Sequence, residues 1–188
     1  MTTTSTVSSG ILDAAQHVFE QYGARRANVE DVARAAGVSR STLYRAYPNK
    51  EALLAAVLER QFAEFLAELD RVASGLPPRE AVVECFARGI ALTREIPLLA
   101  RLVETEPEII TGAGASSHSS LVLGAADQVA QTLRRAGATM PDDELHVVSE
   151  LMLRVAYTYL LNPRGHVDMT DDATVRAYAR RYLAPMVD

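Results

Sequence analysis

Gly37-Val38-Ser39-Arg40-Ser41-Thr42-Leu43-Tyr44-Arg45-Ala46-Tyr47-Pro48-Asn49-Lys50 reads as a sharp turn followed by a short helix with two unlike faces. Gly37 suits the position just past a helix end, because glycine adopts the left-handed conformation without a steric penalty. Ser39 is placed to cap the next helix by accepting from an orphan backbone N–H, with Val38 and Leu43 spaced as a hydrophobic staple across that cap. At about 100° per residue, Arg40, Ser41, Tyr44 and Arg45 share one side, while Leu43, Ala46 and Tyr47 share the other. Two arginines, a hydroxyl and a phenol on an outer helical face suit bidentate contact to guanine edges and hydrogen bonds to phosphate. Pro48 ends the helix, and Asn49 is set to cap the next one, with Lys50 in its first turn.

Upstream, Ile11, Leu12, Ala15, Val18, Phe19 and Tyr22 recur at three- and four-residue spacing, predicting a first amphipathic helix over about residues 10–22 that ends at Gly23. Asn28 is placed to cap a second helix, with Asp31 three residues on and Val32, Ala33 and Ala36 on the inner side. Three short helices joined by tight turns make a helix-turn-helix head.

The register of Asn28, Val29, Val32, Ala33, then Ala36-Gly37-Val38-Ser39, then Leu43, Tyr44, Tyr47, Asn49, Lys50, Glu51 and Leu53 resembles the DNA-binding head of the TetR (tetracycline-repressor-like) family of bacterial regulators. The resemblance covers about residues 10–55. Two departures matter. Asn28 stands where a threonine or serine is usual and keeps the cap, and Ala46 stands where the family often has a histidine or aromatic residue. The leader before Ile11 has no Arg or Lys, so no DNA-contacting N-terminal arm is expected. The DNA-contacting set is then Asn28, Ser39, Arg40, Ser41, Thr42, Tyr44, Arg45, Tyr47 and Lys50. Arg40 is the first candidate for reading bases, and Arg45 and Lys50 suit phosphate, which tolerates flexible point charges. Arg25 and Arg26, in the loop before the second helix, suit solvent or DNA backbone equally.

Beyond the head, Asn49 to about Ala73 carries Leu54, Leu58, Phe62, Phe65, Leu69 and Val72 in one stripe. Such a helix is ~37 Å long at 1.5 Å per residue, enough to act as a lever. Gly75-Leu76-Pro77-Pro78 breaks it, and Pro78 suits the first position of a helix running through Val82, Val83, Phe86, Ile90 and Thr93. Pro97 and Pro107 bracket a short helix with Leu98, Leu99, Leu102 and Val103. Residues 111–120 read as a flexible loop by composition, and Leu121 to Ala136 as a helix ended by Gly137. Between Pro141 and Leu161, Leu145, Val148, Met152, Val155 and Tyr159 follow a coiled-coil-like spacing. Leu151, Leu153, Tyr157, Leu160 and Leu161 lie off that seam, so this helix needs cover on more than one side. A last helix, about Asp171 to Ala184, carries Val175, Tyr178, Tyr182 and Leu183. The family resemblance implies that these last two helices pair with their copies in a homodimer through Leu145, Val148, Val155, Tyr159, Val175, Tyr178 and Tyr182.

The chain has 188 residues, 48% of them hydrophobic, and 10 glycines and 8 prolines, which is a globular composition. Net charge is −5, yet residues 1–50 hold six basic and four acidic side chains and the rest is strongly acidic. A basic head on an acidic body suits a protein that meets DNA at one end. Residues 1–10 lack a basic n-region, so no secretory signal is read there, and no apolar run approaches ~18 residues. The single Cys85, among Val82, Val83 and Phe86, reads as a buried inert thiol, and a cytoplasmic protein is expected. His17, His118, His146 and His166 are scattered without ligand spacing, so neither a metal nor another cofactor is expected. Glu104-Thr105-Glu106-Pro107-Glu108 reads as a solvated acidic turn rather than a catalytic carboxylate pair, and no enzyme is expected.

The expected fold is therefore all-α, with a helix-turn-helix DNA-binding domain over residues 1–50 and a helical ligand-binding and dimerisation domain over residues 51–188. The expected function is transcriptional regulation, with repression released from a palindromic double-stranded operator by a small, largely apolar effector. Candidate effector contacts are Phe62, Phe65, Phe86, Leu99, Leu102, Leu121, Met152, Arg154 and Tyr157, and the same apolar residues also suit a filled core. Arg154 either pairs with Glu150 one turn earlier or meets an anionic head group. A helical small-ligand carrier or a protein-interaction adaptor with a vestigial head is the alternative. The carrier would show no salt-dependent DNA binding, and the adaptor would bind its partner with an affinity insensitive to competing DNA.

Overall fold

Local capping chemistry lays out the chain as predicted around the quoted stretch. The computed structural model describes the backbone of residues 2–111 and 115–188 and the side chains of residues 7–110 and 123–188. In order, the helices are α1 (Thr2–Tyr22), α2 (Val29–Ala35), α3 (Arg40–Ala46), α4 (Lys50–Ala73), α5 (Pro78–Glu95), α6 (Pro97–Thr105), α7 (Pro107–Thr111), α8 (Ala115–Arg135), α9 (Asp142–Leu161) and α10 (Asp172–Tyr178). No strand occurs among the described residues, and the fold is all-α. Among α1–α8, three boundaries differ from the sequence reading. The backbone of α1 begins at Thr2 rather than near residue 10. Residues 115–120 are helical rather than loop, with α8 starting at Ala115, and Pro107 opens a further short helix.

The helices form two units, residues 1–63 with 97–106, and residues 64–96 with 107–188. The head read from sequence as residues 1–50 lies within the first. There, Ile11, Ala15, Val18 and Phe19 of α1 are buried with Val32 of α2, Leu43 of α3, Leu53 and Val57 of α4, and Leu98 and Leu102 of α6. α6 packs on α1. Arg60 of α4 binds Asp13 (2.6 Å) and Gln16 (2.9 Å) of α1, fixing the rotation of one helix against the other.

The second unit is centred on α5, whose Ala81, Val82, Val83, Phe86, Ala87 and Ile90 are all buried. α8 and α9 pair extensively around a turn at Gly137 (φ +101), where Ala138 N–H donates to Leu133 C=O and Gly137 N–H to Arg134 C=O, each at 3.0 Å. Those two bonds are a Schellman cap. α10 lies against α5, held by Arg176 on Glu84 (3.1 Å) and Arg180 on Glu80 (3.3 Å). The continuous last helix expected to Ala184 instead widens into a π turn, Ala179–Leu183, with Ala184 N–H donating to Ala179 C=O. Pro185 offers no N–H to the Arg181 carbonyl and its ring crowds that group, so α-geometry cannot continue. Arg79 donates to Val187 C=O (2.9 Å), tying this end back to α5.

Candidate nucleic-acid interface

α3 is held by three local devices, all read from sequence. Gly37 sits at φ +66, with Val38 N–H donating to Ala33 C=O (3.0 Å) and Gly37 N–H to Arg34 C=O (3.2 Å), a Schellman turn that closes α2 and reverses the chain. Ser39 Oγ then accepts from Thr42 N–H at 3.1 Å and lies within hydrogen-bond reach of the Ser41 and Thr42 hydroxyls. Leu43 is fully buried and anchors the inner face. Asn28 caps α2 by accepting from Glu30 N–H (3.1 Å), and Asn49 caps α4 by accepting from Ala52 N–H (2.7 Å).

The outer face follows from that anchoring. Arg40, Ser41, Tyr44 and Arg45 are exposed, and Thr42 is half-buried. Ala46, read as inner, is exposed as well, at the last residue of the helix. Tyr47 is half-buried, its hydroxyl 3.0 Å from that of Ser8 on α1. Lys50 donates its ammonium to Arg25 C=O (2.8 Å) and Ala27 C=O (3.4 Å) in the α1–α2 loop. Arg40 binds Glu30 of α2 at 2.8 Å, and its guanidinium lies 5.5 Å from the centre of the Tyr44 ring. Sequence reading missed Glu30 because spacing along one helix does not show pairing across a turn.

The loop that carries Arg25 has a second hold. Glu106, read as part of a solvated acidic turn, is buried, and its Oε2 accepts from Arg25 N–H at 3.0 Å. Gly23 lies beside it at φ +79, where a Cβ would stand 2.5 Å from Glu106 Oε1. Sequence alone showed an acidic run there and no partner for it.

The candidate effector residues fall in both units. Phe62, Leu99 and Leu102 belong to the first, Leu102 fully buried. Phe65, Phe86, Met152, Arg154 and Tyr157 belong to the second. Phe86 and Met152 are core residues there, with Phe86 stacked on Tyr178 at 6.0 Å. Arg154 is exposed and binds Glu150 through Nε and Nη2 (2.8 and 2.5 Å), so the helical pair read from spacing is formed. Tyr157 donates its hydroxyl to Ile110 C=O at 3.0 Å. The side chain of Leu121 lies outside the described residues. A depression of about 230 Å³ is lined instead by Asp70, Ala73, Ser74, Gly75, Thr132, Arg135 and Ala136, a polar set that includes none of the nine.

Of the residues read as a subunit seam, Leu145 and Val175 are each 1% exposed and face the subunit's own core, which corrects their placement at a surface. The cause is register: α9 turns its Leu145–Met152 edge toward α5 and α8. Val148, Val155, Tyr159 and Tyr178 are half-buried against that core, and Tyr182 is exposed. Tyr178 meets Tyr159 edge-on at 5.5 Å and Tyr182 at 5.1 Å, and burial together with the Tyr159 hydroxyl pushes its phenol up to about 12. Val147, Leu151 and Leu161, on the opposite side of α9, are exposed. Cys85 donates its thiol to Leu69 C=O, and burial pushes that thiol up to about 12, so it stays protonated and unreactive.

No group of three or more metal-ligating side chains occurs among the described residues, and no helix there is long and apolar enough to cross a membrane. Residues 11–57 match the model of the bacterial regulatory proteins of the tetR family. The chain is 28% identical over 188 residues to the uncharacterized HTH-type transcriptional regulator Rv1255c of Mycobacterium tuberculosis, covering 98% of this chain and 87% of that one. It is 34% identical over 98 residues to the HTH-type transcriptional regulator RutR of Escherichia coli, covering 52% of this chain and 46% of that one. Its fold is similar to that of the TetR family repressor AlkX from Dietzia sp., with a TM-score of 0.71, 22% identity and 95% of each chain covered. Residues 11–57 thus match the head of the tetR family of bacterial regulatory proteins, and the helical fold of the chain is similar to that of a solved TetR-family regulator.

Proposed function

We propose that the chain is a DNA-binding transcriptional repressor acting in the cytoplasm as a homodimer, with residues 1–50 reading DNA and residues 51–188 binding effector and partner subunit. The observation that carries the reading is the outer face of α3: Arg40, Ser41, Tyr44 and Arg45 stand exposed on a helix whose ends and inner face are locked by Ser39, the Gly37 turn and Leu43. A rigid, basic, hydrogen-bonding helix of this kind fits the major groove, with its first residues toward base edges and the rest toward phosphate. Two copies then meet half-sites about 34–36 Å apart on a palindromic operator.

The subunit contact is assigned to the exposed side of α9, Val147, Leu151 and Leu161, with Tyr182 in the π turn. An apolar effector within the second unit favours one of two subunit arrangements by its differential affinity for them. Phe65 and Tyr157 are the proposed contacts for it, and AlkX, implicated in biodegradation of n-alkanes, is consistent with an apolar effector. The protein is read as a binder rather than an enzyme.

Selection of fragments from the organism's own genomic DNA, at low and at moderate salt, tests the reading. A palindromic site that survives moderate salt is expected, and binding that vanishes with salt and leaves no consensus would overturn it. Apolar ligands titrated against the operator complex test the effector arm. No change in operator affinity at any concentration would remove it.

A further inference from the structure

Glu30 and Arg40 lie ten residues apart on different helices, yet their side chains are joined at 2.8 Å. Each end of that pair is placed by its own cap. Glu30 is the second residue of α2, with its N–H bound by Asn28, and Arg40 is the first of α3, after Ser39. The Gly37 turn fixes the angle between the two helices. Tyr44, one turn along α3, lies under the guanidinium at 5.5 Å. The carboxylate therefore holds one terminal nitrogen of the guanidinium by charge, and the Tyr44 ring lies against the same group.

We infer that Glu30 is a specificity-determining positioning residue, which fixes the Arg40 guanidinium so that its Nε–Nη2 edge faces the base pairs. The inference rests on the reading that α3 enters the major groove. A guanidinium carries five N–H donors in a rigid fork. Glu30 engages Nη1, which leaves the Nε–Nη2 edge for the paired O6 and N7 acceptors of guanine. In water an exposed ion pair is weak, and Arg40 and Glu30 are 65% and 41% exposed. When DNA covers the face, water leaves and the same pair strengthens. A carboxylate at this place also repels phosphate whatever the sequence, so it lowers random binding while it sharpens specific binding.

The test uses the full chain, wild type and as Glu30→Gln, Glu30→Asp, Arg40→Ala and Glu30→Gln/Arg40→Ala, against the selected operator, its single-base variants and a random duplex. Arg40→Ala is expected to flatten base preference at one position of each half-site. Glu30→Gln is expected to reduce preference at that same position by about tenfold, to leave the other positions unchanged, and to tighten binding to the random duplex. The double variant is expected to be no worse there than Arg40→Ala. Glu30→Asp keeps the charge but withdraws the carboxylate, and is expected to lose the preference too. Full preference in Glu30→Asp, or in Glu30→Gln while Arg40→Ala flattens the position, would overturn the positioning role and leave the DNA-reading helix intact. Equal loss at every position in Glu30→Gln would make the residue merely structural and also overturn it. A uniform loss in Arg40→Ala across all sequences would instead overturn the base-reading role beneath it.

Discussion

Glu106 and Arg25 are joined by a hydrogen bond from a backbone N–H to a buried carboxylate, 3.0 Å long and spanning 81 positions of the chain. With Lys50 holding the carbonyls of Arg25 and Ala27 from the other side, the α1–α2 loop is gripped twice. Glu106→Ala is expected to cost about 1–3 kcal/mol, because it strands a backbone donor. Faster hydrogen exchange at the Arg25 amide localises the loss. Glu104→Ala, at an exposed neighbour, should stay within about 0.5 kcal/mol.

Gly23 provides an independent check on the same grip. Gly23→Ala combines a left-handed φ of +79° with a Cβ 2.5 Å from Glu106 Oε1, whereas Gly137→Ala has φ +101° and nothing within 4 Å. The Gly137 variant is expected to lose about 1–2 kcal/mol in urea unfolding from conformation alone. The Gly23 variant should lose more.

Glu68 makes stability depend on pH in a defined direction. Hydrogen bonds from Arg71 and Arg88 hold its carboxyl at about 2 against an ordinary 4.5. A carboxyl depressed on folding adds stability above its unfolded value and loses it as pH falls through its folded value. The difference in unfolding midpoint between wild type and Glu68→Gln is expected to be constant above pH 4.5 and to shrink between 4.5 and 2. A difference that stays constant across that window would show that the arginines do not favour the ionised form.

Arg45, exposed in the last turn of α3, is proposed to meet phosphate rather than bases. Arg45→Ala is expected to weaken binding alike on all duplexes and to lower the slope of log affinity against log salt by about one. Loss confined to one base position would move it to the reading set.

Leu151 is 45% exposed on the free side of α9, and Leu145 is 1% exposed on its buried side. Leu151→Glu is expected to give folded monomers in sedimentation with helical circular dichroism unchanged. Leu145→Glu should unfold the second unit, because a carboxylate there has no partner. Dimers of undiminished stability in Leu151→Glu would place the subunit contact elsewhere.

What could be read from the residues alone was what is decided within a few residues of itself. Asn28, Ser39 and Asn49 cap their helices, Gly37 and Gly137 end theirs, and Pro78 opens α5, because each depends on the orphan groups of one turn. The exposed face of α3 followed from periodicity and the burial of Leu43. Residues 2–9 and 115–120 were misjudged because Ser and Thr are weak helix formers by propensity, yet the backbone there belongs to α1 and α8. Contacts between distant segments were not legible at all. Nothing in the spacing of Glu30, Glu106 or Lys50 names its partner, and the seam of α9 gave a stripe without saying whether core or neighbour would cover it.

The assignment of α6 to the first unit bears on how such regulators can be recombined. Leu98 and Leu102 are fully buried there although they follow α5 in the chain. Residues 1–63 transplanted onto another regulator would leave behind a wall of their own core, together with the carboxylate of Glu106. A working hybrid must carry residues 97–106 along with the head, so DNA specificity in this chain is exchangeable as two separated segments or by substitutions on α3, and not as one excised stretch.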